Sequence, residues 1–490
     1  MYKRIGVRYS MQCKHLVIGF SLVVLPSTLA QQHTVHDKDA PELIARYAPL
    51  VKQLVDTGLT HVGAYAMLEQ LTTQAPHRLS GSEGAAVAVA LTKKMMEERG
   101  FENVHLEKVM VPRWVRGEEE CWIIPQATHM PQLMRLQTLD VCALGGSVAT
   151  PDTGLQAEVV EVKSFDELRA LGQRVRGKIV FFNRPMDPTK LNTFEAYSGA
   201  VDQRSRGAIE AARFGAVAAL VRSMTLAIDD KPHTGAMNYA DSVRKIPGAA
   251  ISTLHAHQLS EYLKRNPSLR LHLKLTPKTL LDVESANVVG ELRGSEKPNE
   301  IIVVGGHLDA WDKGQGAHDD GAGCVQAIEA LHLLKKIGVK TKRTIRAVMF
   351  MNEENGLRGG RAYPLAPERK GETHIAAIES DAGGHTPRGF SVAGDSLLLH
   401  RVLQWQALFD MLDAGRIRPG YAGVDISPLV NAGVAGFGLV PENHRYFDYH
   451  HSDNDTIDKV HPRELEMGAI VEALLCYLIS EEGLMSTSPR

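Results

Sequence analysis

The stretch that decides the fold class spans residues 301–355 and reads IIVVGGHLDAWDKGQGAHDDGAGCVQAIEALHLLKKIGVKTKRTIRAVMFMNEEN. Apolar strands are predicted at 301–304 and 344–350, and the apolar spacing between them predicts a helix at 322–337. A strand, a helix and a strand in this order are typical of parallel strands joined by a crossover helix. The stretch therefore predicts an α/β fold.

The same alternation continues towards the C-terminus. Strands are predicted at 375–380 and 434–440, and helices at 396–412 and 462–481. We therefore expect a doubly covered, mostly parallel mixed sheet with helices on both faces. In such sheets, ligands bind beyond the carboxyl ends of the strands.

Four acidic or histidine side chains follow shortly after predicted strands. They are His307, Glu353, Glu354 and Asp381. Because the carboxyl ends of parallel strands meet at one edge of a sheet, we expect these side chains to lie close together.

A second, smaller unit is predicted in the first half of the chain. Helices are expected at 41–99, and between 144 and 278 short apolar strands alternate with short helices. We expect residues 31–143 and 279–490 to form a main domain around an inserted α/β unit at 144–278. The alternative is that 144–278 continues the topology of the main domain.

The first 30 residues are predicted to be a secretory signal peptide. They hold four basic and no acidic residues, followed by an apolar run at 16–25. That run is shorter than the roughly 20 residues that span a bilayer. The small residues Thr28 and Ala30 fit cleavage after Ala30, which predicts a secreted or periplasmic protein without membrane attachment after cleavage. An uncleaved anchor, or a start at Met11, is the alternative.

The charge balance argues against a nucleic-acid partner. The chain has 55 Lys and Arg against 57 Asp and Glu residues, and its formal charge of −2 becomes −6 once the four basic residues of the leader are lost. Polyanion binding needs clustered basic residues, and no basic stripe interleaved with aromatic residues is present in the sequence. A hydrophobic content of 44% is ordinary for a globular protein.

Loss of the leader leaves four cysteines. Cys324 and Cys476 fall in helical apolar patterns, which predicts buried thiols. Cys121 and Cys142 either form a disulfide, which is common in exported proteins, or are buried thiols as well.

Five segments of the second half offer histidine and carboxylate side chains, which are the ligands that zinc takes. The segments are His307 with Asp309, Asp319, Glu353 with Glu354, Asp381, and His451. Two zinc ions about 3.5–4 Å apart can share one carboxylate. The set therefore predicts a two-metal hydrolase centre.

Local geometry suggests roles for the aspartates. Residues 307 and 309 point to the same side at a strand end, so the Asp309 carboxylate is expected to accept a hydrogen bond from the His307 nitrogen that does not bind metal. Asp320 directly precedes a predicted helix and is expected to cap or orient it. Asp319 is then free to give one oxygen to each of two metals.

Glu353 and Glu354 leave their strand in diverging directions, because adjacent side chains alternate. One of them can bind metal while the other, unligated, acts as a general base. His450 competes with His451 for the ligand role and is expected to support the ligand or face solvent. His318 is expected to line the site or to be exposed.

The segment at 305–321, GGHLDAWDKGQGAHDDG, carries a family resemblance together with the ordered series His, Asp, Glu-Glu, Asp, His. The chain resembles the cocatalytic di-zinc exopeptidases, a family that includes carboxypeptidase Q and secreted bacterial aminopeptidases, over nearly the whole mature chain. The resemblance implies the zinc exopeptidase fold, and the unit at 144–278 resembles the protease-associated domain inserted into some exopeptidases.

The resemblance also implies a ligand set of two Zn²⁺ per chain. One zinc ion would be bound by His307 and Asp381 and the other by Glu354 and His451. Asp319 would bridge the two ions.

Further roles follow from the same resemblance. Glu353 would be the general base, and Asp309 would support His307. The peptide bond between Asp319 and Asp320 would be cis.

Tyr421 lines up with a tyrosine that stabilises the oxyanion in related aminopeptidases. Close to Tyr421, this chain departs from the family pattern. The family has Ser-Asp-His at positions where this chain has Val424-Asp425-Ile426. The oxyanion role of Tyr421 is therefore left open.

The expected activity is that of an aminopeptidase or dipeptidase acting on dipeptides or short peptides with a free N-terminus, and a homodimer is a candidate assembly. One alternative is a glutaminyl cyclase-type acyltransferase on the same fold, which tends to bind one zinc ion. Another is a non-catalytic binding protein, as in relatives that have lost metal ligands.

Overall fold

The computed structural model describes residues 40–125 and 137–484, so the predicted signal peptide lies outside the described residues. The described ranges form fourteen α-helices: α1 (Ala40–His61), α2 (Gly63–Gln74), α3 (Glu83–Glu98), α4 (Phe165–Leu171), α5 (Thr193–Ser198), α6 (Asp202–Arg213), α7 (Thr253–Arg265), α8 (Ala322–Lys336), α9 (Arg358–Ala362), α10 (Ser396–Leu403), α11 (Gln406–Asp410), α12 (Ser427–Asn431), α13 (Tyr446–Tyr449) and α14 (Pro462–Glu482).

The same ranges form sixteen strands: β1 (Glu102–Val115), β2 (Glu119–Ile123), β3 (Gln137–Thr138), β4 (Val141–Ala143), β5 (Leu155–Val162), β6 (Ile179–Phe182), β7 (Ala218–Arg222), β8 (Gly248–Ile251), β9 (Arg270–Leu275), β10 (Lys278–Leu292), β11 (Lys297–His307), β12 (Arg343–Phe350), β13 (Thr373–Glu379), β14 (Pro387–Ala393), β15 (Arg416–Pro419) and β16 (Ala435–Pro441).

The first of two sheets has the strand order β1-β10-β12-β11-β13-β16-β14-β15. Its centre, β12-β11-β13-β16, is parallel. Antiparallel pairs flank this centre, with β1 on β10, β10 on β12 and β14 on β16. The predicted α/β fold with a mixed sheet is confirmed.

Strand β11 shows how the sheet is covered on both faces. Ile302 and Val304 pack in an apolar core with buried residues of α8 and α14. Ile301 and Val303 pack in a separate core with Leu429 of α12. Neighbouring strand residues point to opposite faces, so an uninterrupted apolar strand needs cover on both sides.

The second sheet has the strand order β3-β2-β9-β5-β6-β7-β8-β4. It takes in the strands predicted between 144 and 278, and α6 packs against β7 within this region. It also takes in β2, β3 and β4, which precede residue 144 in the chain. The boundaries of an inserted domain, and its likeness to a protease-associated domain, stay predictions.

Some elements of the first sheet differ from the sequence prediction. Strands β10, β14 and β15 were not predicted, and the first half of β10 is largely exposed, so it lacks an apolar run. The helix predicted at 396–412 forms two helices, α10 and α11. Trp405 between them is fully buried, so the chain turns here to place the indole in the core.

The structure shows the state of the four cysteines that follow the predicted leader. Cys121, Cys142, Cys324 and Cys476 are all free and buried, so the predicted thiols at Cys324 and Cys476 are confirmed and the Cys121–Cys142 disulfide is not formed. Burial raises the pKa of Cys121 to about 12. Across 40–125 and 137–484, no helix combines the length and apolar character needed to cross a bilayer.

Candidate metal centre

The five predicted ligands are brought together at the carboxyl end of the parallel strands. His307 ends β11, Glu354 follows β12 and Asp381 follows β13. Asp319 lies in the turn before α8, and His451 lies just after α13. Strands and loops far apart in sequence therefore meet at one edge of the first sheet, where such sheets bind ligands.

Asp319 stands between two histidines. His307 Nε2 lies 3.2 Å from Asp319 Oδ1 and 3.5 Å from Asp381 Oδ1. His451 Nε2 lies 3.2 Å from Asp319 Oδ2 and 3.0 Å from Glu354 Oε2. Each Asp319 oxygen therefore faces a different histidine and carboxylate pair, which is the arrangement of a bridging ligand.

The donor set fits divalent zinc, which takes imidazole nitrogen and carboxylate oxygen. Ligand atoms of His307, Asp319 and Glu354 all lie within 4.8 Å of one another. Asp319 Oδ2 is buried and makes no hydrogen bond with any described residue, because the 3.2 Å approach of His451 lacks hydrogen-bond geometry. A cation between these groups would satisfy that oxygen.

The electrostatics of the centre favour positive charge. Burial raises the pKa of Asp319, but the imidazoles of His307 and His451 outweigh burial and hold that pKa well below its ordinary value. Burial lowers the pKa of His451, but the carboxylates of Glu354 and Asp319 raise it to about 10. The buried carboxylates thus stabilise any proton or cation placed among them.

Two further aspartates hold the backbone around Asp319. The Asp455 carboxylate accepts hydrogen bonds from the amides of His318, at 2.7 Å, and Asp319, at 3.1 Å. Asp320 accepts from the amides of Gly323 and His307, each at 3.0 Å, which agrees with its predicted orienting role at the start of α8. The peptide bond between Asp319 and Asp320 is cis, as the resemblance implies.

The predicted contact of the Asp309 carboxylate with His307 is wrong. His307 Nδ1 lies 2.8 Å from the main-chain oxygen of Asp309. The Asp309 carboxylate instead accepts from the amides of Asn352, at 2.7 Å, and Glu353, at 3.1 Å. The chain turns after β11, so the carbonyl group reaches back to the imidazole while the side chain reaches the loop after β12. Asp309 thus leaves His307 Nε2 free for metal and fixes the backbone of Glu353.

Glu353 lies beside the ligand group without pairing with a histidine. Its backbone follows Asn352, which has a left-handed φ of 76° and donates from its side-chain amide to Ser80 Oγ at 2.7 Å. Burial raises the pKa of Glu353 well above its ordinary value, and although His307 lowers it, Asp381 raises it further. The side chain is therefore a strong proton acceptor next to the candidate metal centre.

Both histidines that the sequence kept out of the ligand set are buried. His318 Nδ1 accepts from the Gly384 amide at 3.1 Å, and His318 Nε2 lies 3.3 Å from the Lys459 carbonyl oxygen, so its nitrogens are occupied. The His450 ring stacks on His451 with centroids 3.5 Å apart. Because an imidazole binds a metal in its own plane, the stacking favours one ligand from this pair, although ligand atoms of His450, His451 and Asp319 also lie within 4.8 Å of one another. The alternative of a solvent-facing His450 is wrong, because its side chain is 9% exposed.

Tyr421 lies on an exposed loop, and 66% of its surface is accessible. Its main-chain oxygen accepts from Ser391 Oγ at 2.5 Å, while its hydroxyl makes no hydrogen bond with any residue in the described ranges. Glu379 holds the same loop by accepting from the amides of Val424, at 2.8 Å, and Ile426, at 2.9 Å. The loop is fixed at its base, but the Tyr421 side chain is not.

The sequence interpretation missed a buried arginine that supports the centre. Arg78 is fully buried, and its guanidinium donates to the carbonyl oxygens of Leu308, at 2.6 Å, Gln315, at 2.5 Å, and Gly316, at 2.7 Å. These contacts hold both ends of the loop between His307 and α8. In the sequence, Arg78 is a single basic residue in the loop before α3, and one basic residue is too weak a signal to identify a supporting role.

The second sheet also supplies support that the sequence did not reveal. His451 has a left-handed φ of 60°, and its carbonyl oxygen accepts from the Thr234 amide at 2.9 Å. Arg204 Nη1 lies 3.4 Å from the Thr234 carbonyl oxygen and 3.5 Å from His451 Nδ1. The loop that carries His451 is therefore anchored on the unit that contains β5 to β9.

Comparison with known proteins gives one family. The family described as Peptidase family M28 matches residues 287–475. Carboxypeptidase Q of Mus musculus is 34% identical over 469 residues, which cover 95% of this chain and 96% of that protein. Carboxypeptidase Q of Homo sapiens is 34% identical over 447 residues, 91% of each chain.

Solved structures show the same relationship. A peptidase M28 precursor from Shewanella amazonensis has a TM-score of 0.84 at 33% identity, covering 90% of this chain and 99% of that one. A zinc aminopeptidase from Bacillus subtilis has a TM-score of 0.61 at 20% identity, covering 87% and 98%, and it shares the fold.

Proposed function

Because this chain belongs to peptidase family M28, we propose that it is a secreted exopeptidase that uses two zinc ions to hydrolyse dipeptides or short peptides with a free N-terminus. The observation that carries the proposal is the position of Asp319, whose two oxygens face two different histidine and carboxylate pairs. Relatives named carboxypeptidase Q and aminopeptidase support a peptidase activity.

In this proposal, His307 and Asp381 would hold one zinc ion, Glu354 and His451 would hold the other, and Asp319 would contribute to both sites. When bound, the ions polarise the scissile carbonyl group and lower the pKa of the attacking water. The carbonyl oxygen of Asp309 keeps His307 Nε2 available for metal. Asp455 and Asp320 keep the bridging residue in place through main-chain amides.

Glu353 is the proposed general base. It takes a proton from the attacking water and passes it to the leaving amine, so it must hold a proton between the two steps. Its position beside the ligands and its raised pKa support this use. The hydrogen bond from its amide to Asp309 holds the backbone of Glu353 next to the centre.

The test is the activity of the full, zinc-loaded chain on aminoacyl anilides, dipeptides, and N-acetylated and C-blocked analogues. We expect hydrolysis of substrates with a free N-terminus, no hydrolysis of N-acetylated ones, and two zinc ions per chain by elemental analysis. Cleavage of N-acetylated peptides alone would contradict the exopeptidase direction. Cyclisation of N-terminal glutamine with one zinc ion per chain would favour the acyltransferase alternative.

Secretion is tested separately. Export of the expressed full chain, with a mature N-terminus at Gln31, is expected from the signal peptide prediction. A full-length chain retained inside the cell would contradict it.

A further inference from the structure

Arg116 lies where the chain passes from the first sheet to the second. It follows β1, the edge strand of the first sheet, and precedes β2 of the second. The residue is 8% exposed. Burial lowers the pKa of Arg116, but the Asp312 carboxylate raises it above its ordinary value, so the guanidinium stays charged. A buried charge of this kind needs acceptors for its donors.

The acceptors of Arg116 come from two parts of the molecule. Nε donates to both carboxylate oxygens of Asp312, at 3.0 and 2.9 Å, and Nη2 donates to Asp312 Oδ1 at 2.5 Å. Nη1 donates to the Ala143 carbonyl oxygen at 2.5 Å and to Glu119 Oε1 at 3.1 Å, and Nη2 donates to Thr234 Oγ1 at 3.3 Å. Asp312 lies in the loop between β11 and α8, whereas the other three acceptors lie in or between strands of the second sheet. Arg116 therefore joins that loop to the second sheet.

The first branch of this network leads from Asp312 to Glu354. The amide of Trp311, which precedes Asp312 in the chain, donates to Glu354 Oε1 at 3.2 Å. The other oxygen, Glu354 Oε2, lies 3.0 Å from His451 Nε2. By holding Asp312, Arg116 thus fixes the segment that binds one oxygen of Glu354 and leaves the other oxygen to the candidate metal centre.

The second branch leads from Thr234 to His451. The Thr234 amide donates to the His451 carbonyl oxygen at 2.9 Å, and His451 Nδ1 lies 3.4 Å from the Thr234 carbonyl oxygen. A carbonyl oxygen at Nδ1 leaves Nε2 available for metal. The Thr234 hydroxyl donates at 2.9 Å to the same Ala143 carbonyl oxygen that Arg116 binds. Arg116 thus also holds the residue that orients His451.

Both branches end at the same proposed zinc site, which is the one formed by Glu354 and His451. The histidine of the other site is held differently. His307 Nδ1 lies 2.8 Å from the Asp309 carbonyl oxygen, and the His307 amide donates to Asp320 at 3.0 Å. Asp309 and Asp320 lie between β11 and α8, on the side of the first sheet. The two sites therefore differ in their dependence on the second sheet.

We propose that Arg116 is a positioning residue that sets the zinc affinity of the Glu354 and His451 site by joining that site to the second sheet. The proposal rests on the two-zinc function proposed above. It gives the second sheet a share in one metal site and leaves the His307 and Asp381 site to the first sheet.

The decisive variant is Arg116→Lys in the full, zinc-loaded chain. Lysine keeps the positive charge, but its single ammonium group cannot span Asp312 and the second-sheet oxygens as the planar guanidinium does. We expect the zinc affinity of the Glu354 and His451 site to fall about 10–100-fold, and that of the other site to stay within about threefold. Competition with a chelator measures the two affinities, and anomalous diffraction at the zinc absorption edge measures the occupancy of each site.

Arg346→Lys is the matched control. Arg346 is also a buried arginine between carboxylates, and it donates to Glu291 at 2.7 Å and to Glu372 at 2.6 Å. Its third partner is the Tyr363 hydroxyl, at 3.1 Å, so none of these partners is a proposed zinc ligand. We expect a lower melting temperature in this variant with both zinc affinities unchanged.

A milder variant, Asp312→Asn, decides the question if Arg116→Lys does not fold. The amide keeps one oxygen for the Arg116 guanidinium, so a smaller loss of about 3–10-fold is expected at the Glu354 and His451 site alone. Stepwise titration with Co²⁺, followed by visible absorption of the bound ion, gives a spectroscopic measure of the two affinities without an activity assay.

Several outcomes would overturn the proposal. Unchanged affinities in both Arg116→Lys and Asp312→Asn, equal weakening of the two sites, or loss of the same zinc ion in Arg346→Lys would each do so. If the wild type bound fewer than two zinc ions, the proposed two-zinc function itself would fail. Two zinc ions in the wild type and unchanged affinities in the variants would overturn only the role of Arg116.

Discussion

Buried carboxyl groups behave differently in two regions of this molecule. At the candidate metal centre, the Asp319 carboxylate lies between the imidazoles of His307 and His451, and its pKa is held well below its ordinary value. In α14, Glu472 is fully buried, neither of its oxygens bonds to a described residue, and burial raises its pKa well above its ordinary value. Burial by itself neutralises a carboxyl group, and only converging positive groups keep one charged.

Glu353 lies between these extremes. It is next to the ligands, yet burial and neighbouring carboxylates raise its pKa. The comparison sets Asp319 apart from the other buried carboxyl groups, because burial also raises the pKa values of the proposed ligands Glu354 and Asp381. Position relative to the histidines, and not the pKa alone, therefore distinguishes a proposed ligand from a proposed base.

The largest effect on zinc content and activity is expected from Asp319→Asn, which changes the carboxyl group with the lowered pKa. An amide cannot give a negatively charged oxygen to each of two ions, so we expect loss of most bound zinc and of peptidase activity. Elemental analysis and hydrolysis of a dipeptide measure both. Asp381→Asn is the matched comparison, since it should weaken only one site, and full zinc content in Asp319→Asn would contradict the bridging role.

Glu353→Gln tests the intermediate group. The glutamine cannot accept the proton of water, so kcat should fall by about 10²–10⁴-fold while both zinc ions stay bound. Stopped assays on a dipeptide, together with metal analysis, check the prediction. Glu354→Gln should instead lose zinc from one site. Activity close to wild type in Glu353→Gln with full zinc content would remove Glu353 as the base.

Asp455→Asn tests whether zinc binding at Asp319 depends on the hydrogen bonds that hold the main chain of Asp319 in place. Asparagine can accept from only one of the two amides that Asp455 now holds, so Asp319 should be less well placed. We expect zinc affinity to fall about 10–100-fold, which competition with a chelator can measure. Asp458→Asn, at an exposed position nearby, serves as the control and should match the wild type.

The smallest effect is expected from Glu472→Leu, which removes the buried carboxyl group without a charged partner among the described residues and changes only the free energy of unfolding. Removal of a buried carboxyl group without a partner should raise the free energy of unfolding by about 1–3 kcal/mol, measured by urea unfolding. Glu69→Gln, at an exposed position of α2, is the control and should change it little.

The stabilisation expected from Glu472→Leu depends on pH in a defined direction. Because the pKa of Glu472 is raised from 4.5 in the folded state, its contribution to stability is fully present below about pH 4.5 and is lost as the pH rises towards the folded pKa. The advantage of Glu472→Leu should therefore grow from pH 4.5 to pH 7. An advantage that is constant over this range would show that the pKa of Glu472 is the same in the folded and unfolded states.

Much of the fold could be predicted from the sequence, because β11, α8, β12, β13 and α14 carry strong apolar patterns of the right period. Strands β10 and β15 could not be predicted, since the first half of β10 is exposed and β15 is a short edge strand, so neither carries a continuous apolar pattern. Strand β14 lies inside the sheet but is short and begins with Pro387, Arg388 and Gly389, so its apolar pattern is weak. Tertiary pairing, not local propensity, makes them strands. The second sheet also takes in β2 to β4, which precede residue 144 in the chain.

The sequence by itself predicted the residue types of the proposed ligands, their order and, for His307, Glu354 and Asp381, their position at the ends of parallel strands, because metal chemistry restricts the residue types and the strand period places them. Only the tertiary structure decided that Asp309 reaches His307 through its carbonyl group and that Arg78 and Thr234 hold the loops of the proposed ligands. These contacts join residues far apart in the chain, and they depend on loop paths that leave no periodic signal in the sequence.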